Sequence, residues 1–269
     1  MTVAAASDTR LVLQADSVMA GYGQHRVLHG VSMALPRGRL MGMLGPNGSG
    51  KSTLFHCLTG HHPVEGGAVT IDGTPLAQLS RQQLARVVAF VPQRTQVTFP
   101  FTALQMVLMG RHAYSQAFTC DTADDVKIAM AALERLDLAG LADRPFTQLS
   151  GGQQQLVILA RAMAQQSPIL LLDEPLVGLD IRHQYQFLQA VQQLAQSGAH
   201  SILASFHELG TACQWCDALV LLAEGRVLAE GAPAEVLTEP NLLAAYGVRS
   251  TVRWMPGQRV PVIDVVSAD

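Results

Sequence analysis

The sequence predicts an α/β fold with a parallel sheet at its core, and three short apolar runs carry that prediction. The runs lie at residues 40–44, 169–172 and 201–205. They are continuous rather than alternating, which is typical of strands buried on both faces of a parallel sheet. Helical patterns at 52–59 and 181–196 follow the first two runs. Strands that alternate with helices in this way favour a layered α/β domain.

Two further regions depart from this alternation. Partly alternating patterns at 11–20 and 31–35, and a turn signal at the end of 68–73, predict a small antiparallel sheet. Residues 94–149 show no strand pattern, which indicates a helical insertion. The helices expected in the insertion lie at 102–109 and 122–137.

These patterns favour one domain over residues 1–269. We expect a helical subdomain at about 94–164 and a strand-like tail at about 249–269. A hairpin over 218–230 and a short helix near 242–246 would precede the tail.

Composition excludes several classes of protein. The 269 residues carry a formal net charge of −3 and a pI near 6.3, with no long basic run, so we expect no nucleic-acid partner. Residues 1–10 have neither the basic nor the apolar segment of a secretion signal, so we expect a cytosolic chain. No run of 18 apolar residues occurs, so any membrane association should come through a partner.

The cysteines do not suggest a disulfide framework. They are Cys57, Cys120, Cys213 and Cys216. Disulfides are rare in cytosolic chains. The spacing of Cys213 and Cys216 is that of half a zinc or redox motif, but no second pair completes it. We interpret these residues as two cysteines along a helix.

The strongest local pattern directly follows the first apolar run and matches G-x-x-x-x-G-K-[ST]. Its residues are Gly45, Pro46, Asn47, Gly48, Ser49, Gly50, Lys51, Ser52 and Thr53. The glycines let backbone N–H groups turn inward at the positive end of the following helix, which suits phosphate. Lys51 would reach the β- and γ-phosphates, and the Ser52 hydroxyl would ligate Mg²⁺. This loop predicts nucleotide binding, a property that kinases, GTPases and transport motors share.

Two weaker signals lie beside this loop. Tyr22 stands between glycines, with Val27 shortly after it, and could stack on an adenine ring. A tyrosine in a turn is also ordinary packing. His61 and His62 precede a proline, and we expect them to be solvated.

Polar residues also follow three apolar strands, at the end where open α/β sheets bind ligands. Gln93 could contact Mg²⁺ or the attacking water, or be a solvated amide. Asp173 suits the Mg²⁺ shell and Glu174 could polarise a water for attack on the γ-phosphate, whereas a helix cap would explain only one of these acids. His207 could contact the γ-phosphate or simply be packed.

The helical insertion ends on a second candidate anion site. Its residues are Ser150, Gly151, Gly152 and Gln153. Ser150 is a good N-cap, and the glycines leave backbone N–H groups open at the positive end of a helix.

With this segment in place, the chain resembles the ATP-binding subunits of ABC transporters over about residues 11–260, in the family's motif order. The resemblance implies a phosphate-loop RecA-like core, an antiparallel β subdomain and an α-helical signature subdomain. It also implies a head-to-tail dimer in which each ATP lies between one subunit's phosphate loop and the other's signature, Ser150 to Gln153.

The resemblance assigns a role to each matching residue. Tyr22 corresponds to the adenine-stacking aromatic and Gln93 to the coupling glutamine. Lys51 and Ser52 correspond to the phosphate and Mg²⁺ contacts, and Asp173 to the Mg²⁺ acid. Glu174 corresponds to the catalytic base, His207 to the switch histidine and Asp180 to the dimer-contact loop. That loop departs from the family pattern at Val177 and Gly178.

The function implied is that of an ATP-hydrolysing motor of an importer. Its partners would be a second copy, polytopic permease subunits and, indirectly, a substrate-binding protein, at the cytoplasmic face of the inner membrane. A soluble ABC ATPase would need tandem cassettes or a long coiled coil, and a small-molecule kinase would leave Ser150 to Gln153 without a purpose.

The segment 101–112 and the tail around Pro256 and Gly257 resemble those of motors for large type II importers. These importers carry iron chelates, haem, cobalamin or molybdate. The hypothesis from sequence is a ferric-siderophore importer, with the other three cargoes as alternatives.

Overall fold

The computed structural model describes residues 11–93, 95, 97, 99–114 and 121–268. The expectations for residues 1–10 and for Cys120 lie outside these ranges. Within them, the strands form a four-stranded, a six-stranded and a two-stranded sheet. The predicted α/β fold class is confirmed.

The first sheet is antiparallel, as predicted, with the strand order β2-β1-β4-β5. Its strands are β1 (Leu11–Tyr22), β2 (His25–Pro36), β4 (Gly66–Ile71) and β5 (Thr74–Pro75). The first two are longer than the alternating patterns predicted, because bulges shift the register of β1 against β2 and interrupt the alternation.

The second sheet has the order β10-β9-β3-β8-β7-β6. Its strands are β3 (Leu40–Leu44), β6 (Val88–Val91), β7 (Ile169–Leu172), β8 (Ser201–Ser205), β9 (Ala218–Ala223) and β10 (Arg226–Gly231). Strands β3, β6, β7, β8 and β9 are parallel to one another. Strand β10 pairs antiparallel with β9 through the predicted hairpin. Every residue of β3, β7 and β8 is buried, which explains their continuous apolar runs.

Two apolar clusters cover the two faces of this sheet. One lies between the parallel sheet, the antiparallel sheet and α1 (Lys51–Leu58). The other lies under α6 (Ile181–Gln196), α7 (Leu209–Trp215) and the helical insertion. Because helices or sheets cover both faces, the strand ends are the exposed edge on which a ligand can sit.

The helical insertion packs on the second cluster. Its helices are α3 (Ala103–Leu108), α4 (Ala123–Glu134) and α5 (Gly151–Ala164), after α2 (Arg81–Val87). Each begins at a serine or threonine that forms a capping box with the residue three positions later. Helix α4 ends earlier than predicted, and Asp137 then adopts a left-handed conformation that a helix cannot contain.

The last part of the chain contains α8 (Pro233–Val236) and α9 (Glu239–Tyr246) before a two-stranded sheet. Strands β11 (Val248–Arg253) and β12 (Val262–Ala268) pair antiparallel. The predicted turn at Pro256 and Gly257 joins them, with the Gln258 N–H donating to Met255 O at 3.1 Å. Helix α8 was not predicted.

Two negative observations hold within the described residues. No helix there is long and apolar enough to cross a membrane. The cysteines Cys57, Cys213 and Cys216 are buried free thiols, and no group of three or more His, Cys, Asp and Glu side chains is arranged to hold a metal.

Arg111 ties the helical insertion together. The residue is 7% exposed and lies in the 3₁₀ turn after α3. The guanidinium donates to Asp125 Oδ1 in α4 and to Ala164 O at the end of α5, each at 2.8 Å, and to Gln166 Oε1 at 2.9 Å. Tyr114 covers it, with its ring centroid 4.3 Å from Cζ. One buried cation therefore fixes three segments.

We expect Arg111→Met to lower the free energy of unfolding by about 3 kcal/mol, because it leaves buried acceptors without a donor. Urea unfolding measures this change. Lys127→Met is the matched control, since it breaks an exposed ion pair to Asp124 in the same helix and should cost less than about 1 kcal/mol. Equal losses in the two variants would contradict the assignment.

The same cluster predicts a pH dependence of stability. The hydrogen bonds from Arg111 first, and then from Thr122, lower the pKa of Asp125 to about 2, against roughly 3.9 in an unfolded chain. The native state therefore holds this proton less tightly, so the stabilisation is complete above about pH 4 and is lost as the pH falls through 2. Asp125→Asn should show a shallower loss of stability between pH 4 and 2 in unfolding titrations. An unchanged slope would refute this.

Candidate nucleotide and catalytic site

The register of the parallel strands assembles the site. Val91 pairs with Leu172, and Leu172 pairs with Ala204. The residues that follow these three positions therefore emerge side by side at one edge of the sheet. The predicted candidates Gln93, Asp173, Glu174 and His207 meet there, next to the loop that leaves β3.

The backbone of the phosphate loop packs closely against neighbouring residues at Gly45. Gly45 has a φ of 151°, and a Cβ at this position would lie against Leu222 O and 2.7 Å from Ser49 Oγ. A side chain at Gly45 would therefore break the loop. The Ser49 hydroxyl is buried and has no hydrogen-bond partner within the described residues. Such an orphaned group at the base of an anion nest fits a site built for a ligand.

A cavity of about 160 Å³ opens at this loop. Its lining residues are Val27, Asn47, Gly48, Gly50, Lys51, Ser52, Thr53 and Glu174. The Lys51 ammonium donates to Gly45 O at 2.7 Å and to Pro46 O at 3.1 Å. Burial lowers the pKa of Lys51, and the carboxylates of Glu174 and Asp173 oppose that shift. The cavity thus holds a cation and backbone N–H groups, which suits nucleotide phosphate.

Asp173 and Ser52 supply oxygen atoms beside this cavity. Asp173 is 4% exposed, and its Oδ1 accepts a hydrogen bond from Ser205 Oγ at 2.9 Å. Ser52 is exposed in the first turn of α1. Carboxylate and hydroxyl oxygens are the donors that Mg²⁺ prefers, so these residues fit such an ion.

Glu174 is the centre of the catalytic candidates. Its Oε2 contacts His207 Nε2 at 2.8 Å and also accepts a hydrogen bond from Gln93 Nε2. The Glu174 backbone has a φ of 45°, a left-handed conformation that is uncommon for a non-glycine residue. Its N–H donates to Ser205 Oγ at 2.6 Å, which helps to hold that conformation. Through this one oxygen, Glu174 therefore contacts two other predicted residues, His207 and Gln93.

The two candidates for the adenine site, Val27 and Tyr22, lie in different surroundings. Val27 lines the cavity, whereas Tyr22 lies at the end of β1 and is 52% exposed. The ring centroid of His62 lies 4.5 Å from that of Tyr22, and His62 Nε2 is 2.8 Å from Gly21 O. His62 therefore lies in a loop, as predicted, but it is half-buried and packs on Tyr22 rather than being fully solvated.

The signature segment forms a separate cluster. Ser150 caps α5 in a capping box with Gln153, with hydrogen bonds of 3.3 and 3.0 Å. Gly151 is exposed and open, and Gly152 is buried. Asp180 caps α6. Of these residues, none lines the cavity at the phosphate loop, so the described chain presents two half-sites that do not meet.

Sequence reasoning missed three residues in these clusters. Ser205 joins Asp173 to the Glu174 backbone, and its position at the end of β8 was a signal that a strand-pairing argument could have used. His62 supports Tyr22, and His183 contacts both Asp180 and Gly152. No local pattern indicates the last two.

Comparisons with known proteins agree with this geometry. The family model described as ABC transporter matches residues 28–177. The chain is 42% identical over 227 residues to the cobalamin import ATP-binding protein BtuD of Halobacterium salinarum, covering 84% of this chain but 56% of that longer protein. It is 39% identical over 249 residues to the hemin import ATP-binding protein HmuV of Bordetella avium, covering 90% and 94% of the two chains.

Solved structures lead to the same family. A structure described as an inward-facing ABC transporter of metal-chelate type superposes with a TM-score of 0.82 at 29% identity, covering 95% of this chain and 97% of that one. A dimeric bacterial ABC transporter cassette superposes with a TM-score of 0.72 at 26% identity, covering 82% and 98%. The chain belongs to the ABC transporter family and carries its ATP-binding domain.

Proposed function

We propose that this protein is the ATP-hydrolysing motor subunit of an ABC importer, built as one nucleotide-binding domain over residues 1–269. The observation that carries the proposal is the shared oxygen of Glu174, which brings Gln93 and His207 together at the edge where the phosphate loop emerges. The helical subdomain at about 94–164 would supply the signature, and the tail at about 249–269 would close the chain.

Glu174 is the proposed general base. Its carboxylate is 10% exposed, and it lines the cavity opposite Lys51. In the reaction it would accept a proton from a water that attacks the γ-phosphate, while Lys51 and the loop N–H groups hold the phosphates. Release of the Gln93 and His207 contacts would free Oε2 for that proton. Mg²⁺, held by Ser52, Asp173 and Gln93, would neutralise phosphate charge.

The two half-sites support a head-to-tail dimer. The capping box engages the N–H groups of Ser150 and Gln153, so the start of α5 would offer those of Gly151 and Gly152 to the ATP of a second copy. Around Asp180, Val177 is 47% exposed and Ile181 is 86% exposed. Exposed apolar side chains beside a polar cap are a suitable surface for a partner subunit. In this proposal Asp180 and its loop contact the second copy.

A groove of about 610 Å³ beside Pro92 is the proposed permease site. Its lining is mixed, and Leu84, Phe90 and Met109 are among its apolar residues. The Arg161 side chain also lines it and, within the described residues, makes no hydrogen bond or ion pair, although the Arg161 carbonyl accepts from Gln165 N–H. The helix predicted at 102–109 is mostly buried as α3, so the residues at its carboxyl end, Met109 and Gly110, are the ones that reach this groove.

Docking on a polytopic permease would hold the subunit at the cytoplasmic face of the inner membrane. A substrate-binding protein would then act on it indirectly, through the permease. Both points rest on the importer names of the relatives.

The proposed cargo is a metal chelate. The relatives described above are named for hemin and cobalamin, and one structural neighbour is described as metal-chelate type. We place hemin first, since the hemin-named relative aligns over 94% of its length. The ferric-siderophore hypothesis from sequence, and the cobalamin and molybdate alternatives, stay as cargoes to be tested.

We expect Glu174→Gln to retain ATP binding and to hydrolyse ATP roughly 10²–10⁴-fold more slowly, because the amide keeps the hydrogen bonds but cannot take the proton. Phosphate release measures hydrolysis, and size exclusion with ATP should show a dimer. Glu208→Gln is the control, since Glu208 is an exposed acid near the site whose carboxylate accepts a hydrogen bond from Thr211. Near-normal turnover of Glu174→Gln would remove Glu174 from the mechanism.

We expect vesicles containing this subunit, its permease and its binding protein to take up hemin when supplied with ATP. Ferric siderophore, cobalamin and molybdate are measured in parallel, and Glu174→Gln vesicles give the background. Uptake of ferric siderophore or cobalamin instead would correct the choice of hemin, and uptake of molybdate alone, an oxyanion rather than a chelate, would contradict the metal-chelate proposal. Uptake of a sugar or an amino acid would overturn the metal-chelate proposal.

A further inference from the structure

His183 lies between the signature segment, Ser150 to Gln153, and the helix cap Asp180. It stands in the first turn of α6, three residues after the cap Asp180, and its side chain is 24% exposed. Its Nδ1 is 2.8 Å from Asp180 Oδ1, and its backbone N–H donates to the same oxygen at 2.9 Å. These two bonds, the backbone one first, lower the pKa of Asp180. Because an ionised carboxylate can only accept, Nδ1 carries the proton in this contact.

The same imidazole packs directly on the signature helix. A Cβ added to Gly152 would lie 2.5 Å from Cδ2 and 2.7 Å from Nδ1 of His183, closer than real side chains approach. Gly152 has an ordinary helical backbone, so its need for glycine is steric. Gly151 differs, because a Cβ there would meet nothing within 4 Å. His183 thus explains why one of the two glycines has no space for a side chain.

We propose that His183 is a positioning residue that locks the Asp180 loop to the amino end of the signature helix, so that both engage the second copy as one unit. This rests on the proposed function, in which Ser150 to Gln153 and Asp180 act across a dimer. Without the imidazole, the shared apolar packing of α5 and α6 would remain, but Asp180 would lose its tie to the first turn of α5. Closing the dimer would then have to order each of them separately, which costs free energy.

The test uses ATP-driven dimer formation in the Glu174→Gln background, followed by size exclusion over a series of ATP concentrations. We expect His183→Ala to raise the ATP concentration for half-maximal dimer roughly tenfold or more, the effect of losing a hydrogen bond to a charged group. His183→Asn should stay within about threefold of the parent, because its amide retains the Nδ1 donor and the atoms nearest Gly152. Gln189→Ala, on an exposed position of the same helix, is the matched control.

A merely structural role is separated by two measurements on each variant. The affinity of the monomer for ADP should stay within about twofold, since His183 does not line the cavity at the phosphate loop. The thermal midpoint should change little, since the backbone hydrogen bond to Asp180 remains. Should His183→Ala not fold, His183→Gln replaces it, because its amide lies one bond too far out to reach Asp180 in the same way.

The outcomes are distinct. The positioning role is overturned if His183→Ala forms the dimer at the same ATP concentration as the parent. It is also overturned if His183→Asn is as defective as His183→Ala. Either result leaves the proposed function intact. If the Glu174→Gln parent itself stays monomeric at every ATP concentration, the proposed composite site fails, and the role of His183 fails with it.

Discussion

The site depends on the parallel pairing of β6, β7 and β8. Their register brings the residues after Val91, Leu172 and Ala204 to one edge, next to the phosphate loop. A slip of one residue in either pair would turn the following side chains to the other face of the sheet. The buried, apolar character of these strands is therefore also what positions the polar residues that follow them.

That edge is held in a conformation that costs energy locally. Glu174 adopts a left-handed backbone, which typically costs of order 1–3 kcal/mol for a non-glycine residue. The surrounding groups hold it there, since Ser205 binds its N–H and His207 and Gln93 bind its carboxylate. These contacts together hold the strained backbone and keep the carboxylate at the cavity. Losing any of them would change the position of the proposed base.

The proposed second half of the site lies on a different part of the chain. The helical insertion ends on α5, whose start is capped by Ser150, and α6 begins beside it with Asp180 as its cap. His183 connects the two helix starts, and Arg111 fixes the far end of the insertion. The insertion is thus braced at both ends, which suits a surface that must meet a second subunit as a rigid body.

The sequence by itself determined the features that depend on neighbouring residues. The phosphate loop, the caps Ser80, Thr102, Thr122 and Ser150, the buried strands and the hairpin at Gly225 all follow from patterns within a few positions. The tertiary structure alone decided the contacts between distant segments, such as His183 with Gly152, His62 with Tyr22 and Ser205 with Asp173. The reason is physical: periodicity and capping act over one helical turn or one strand, whereas side-chain packing depends on how the whole sheet is registered.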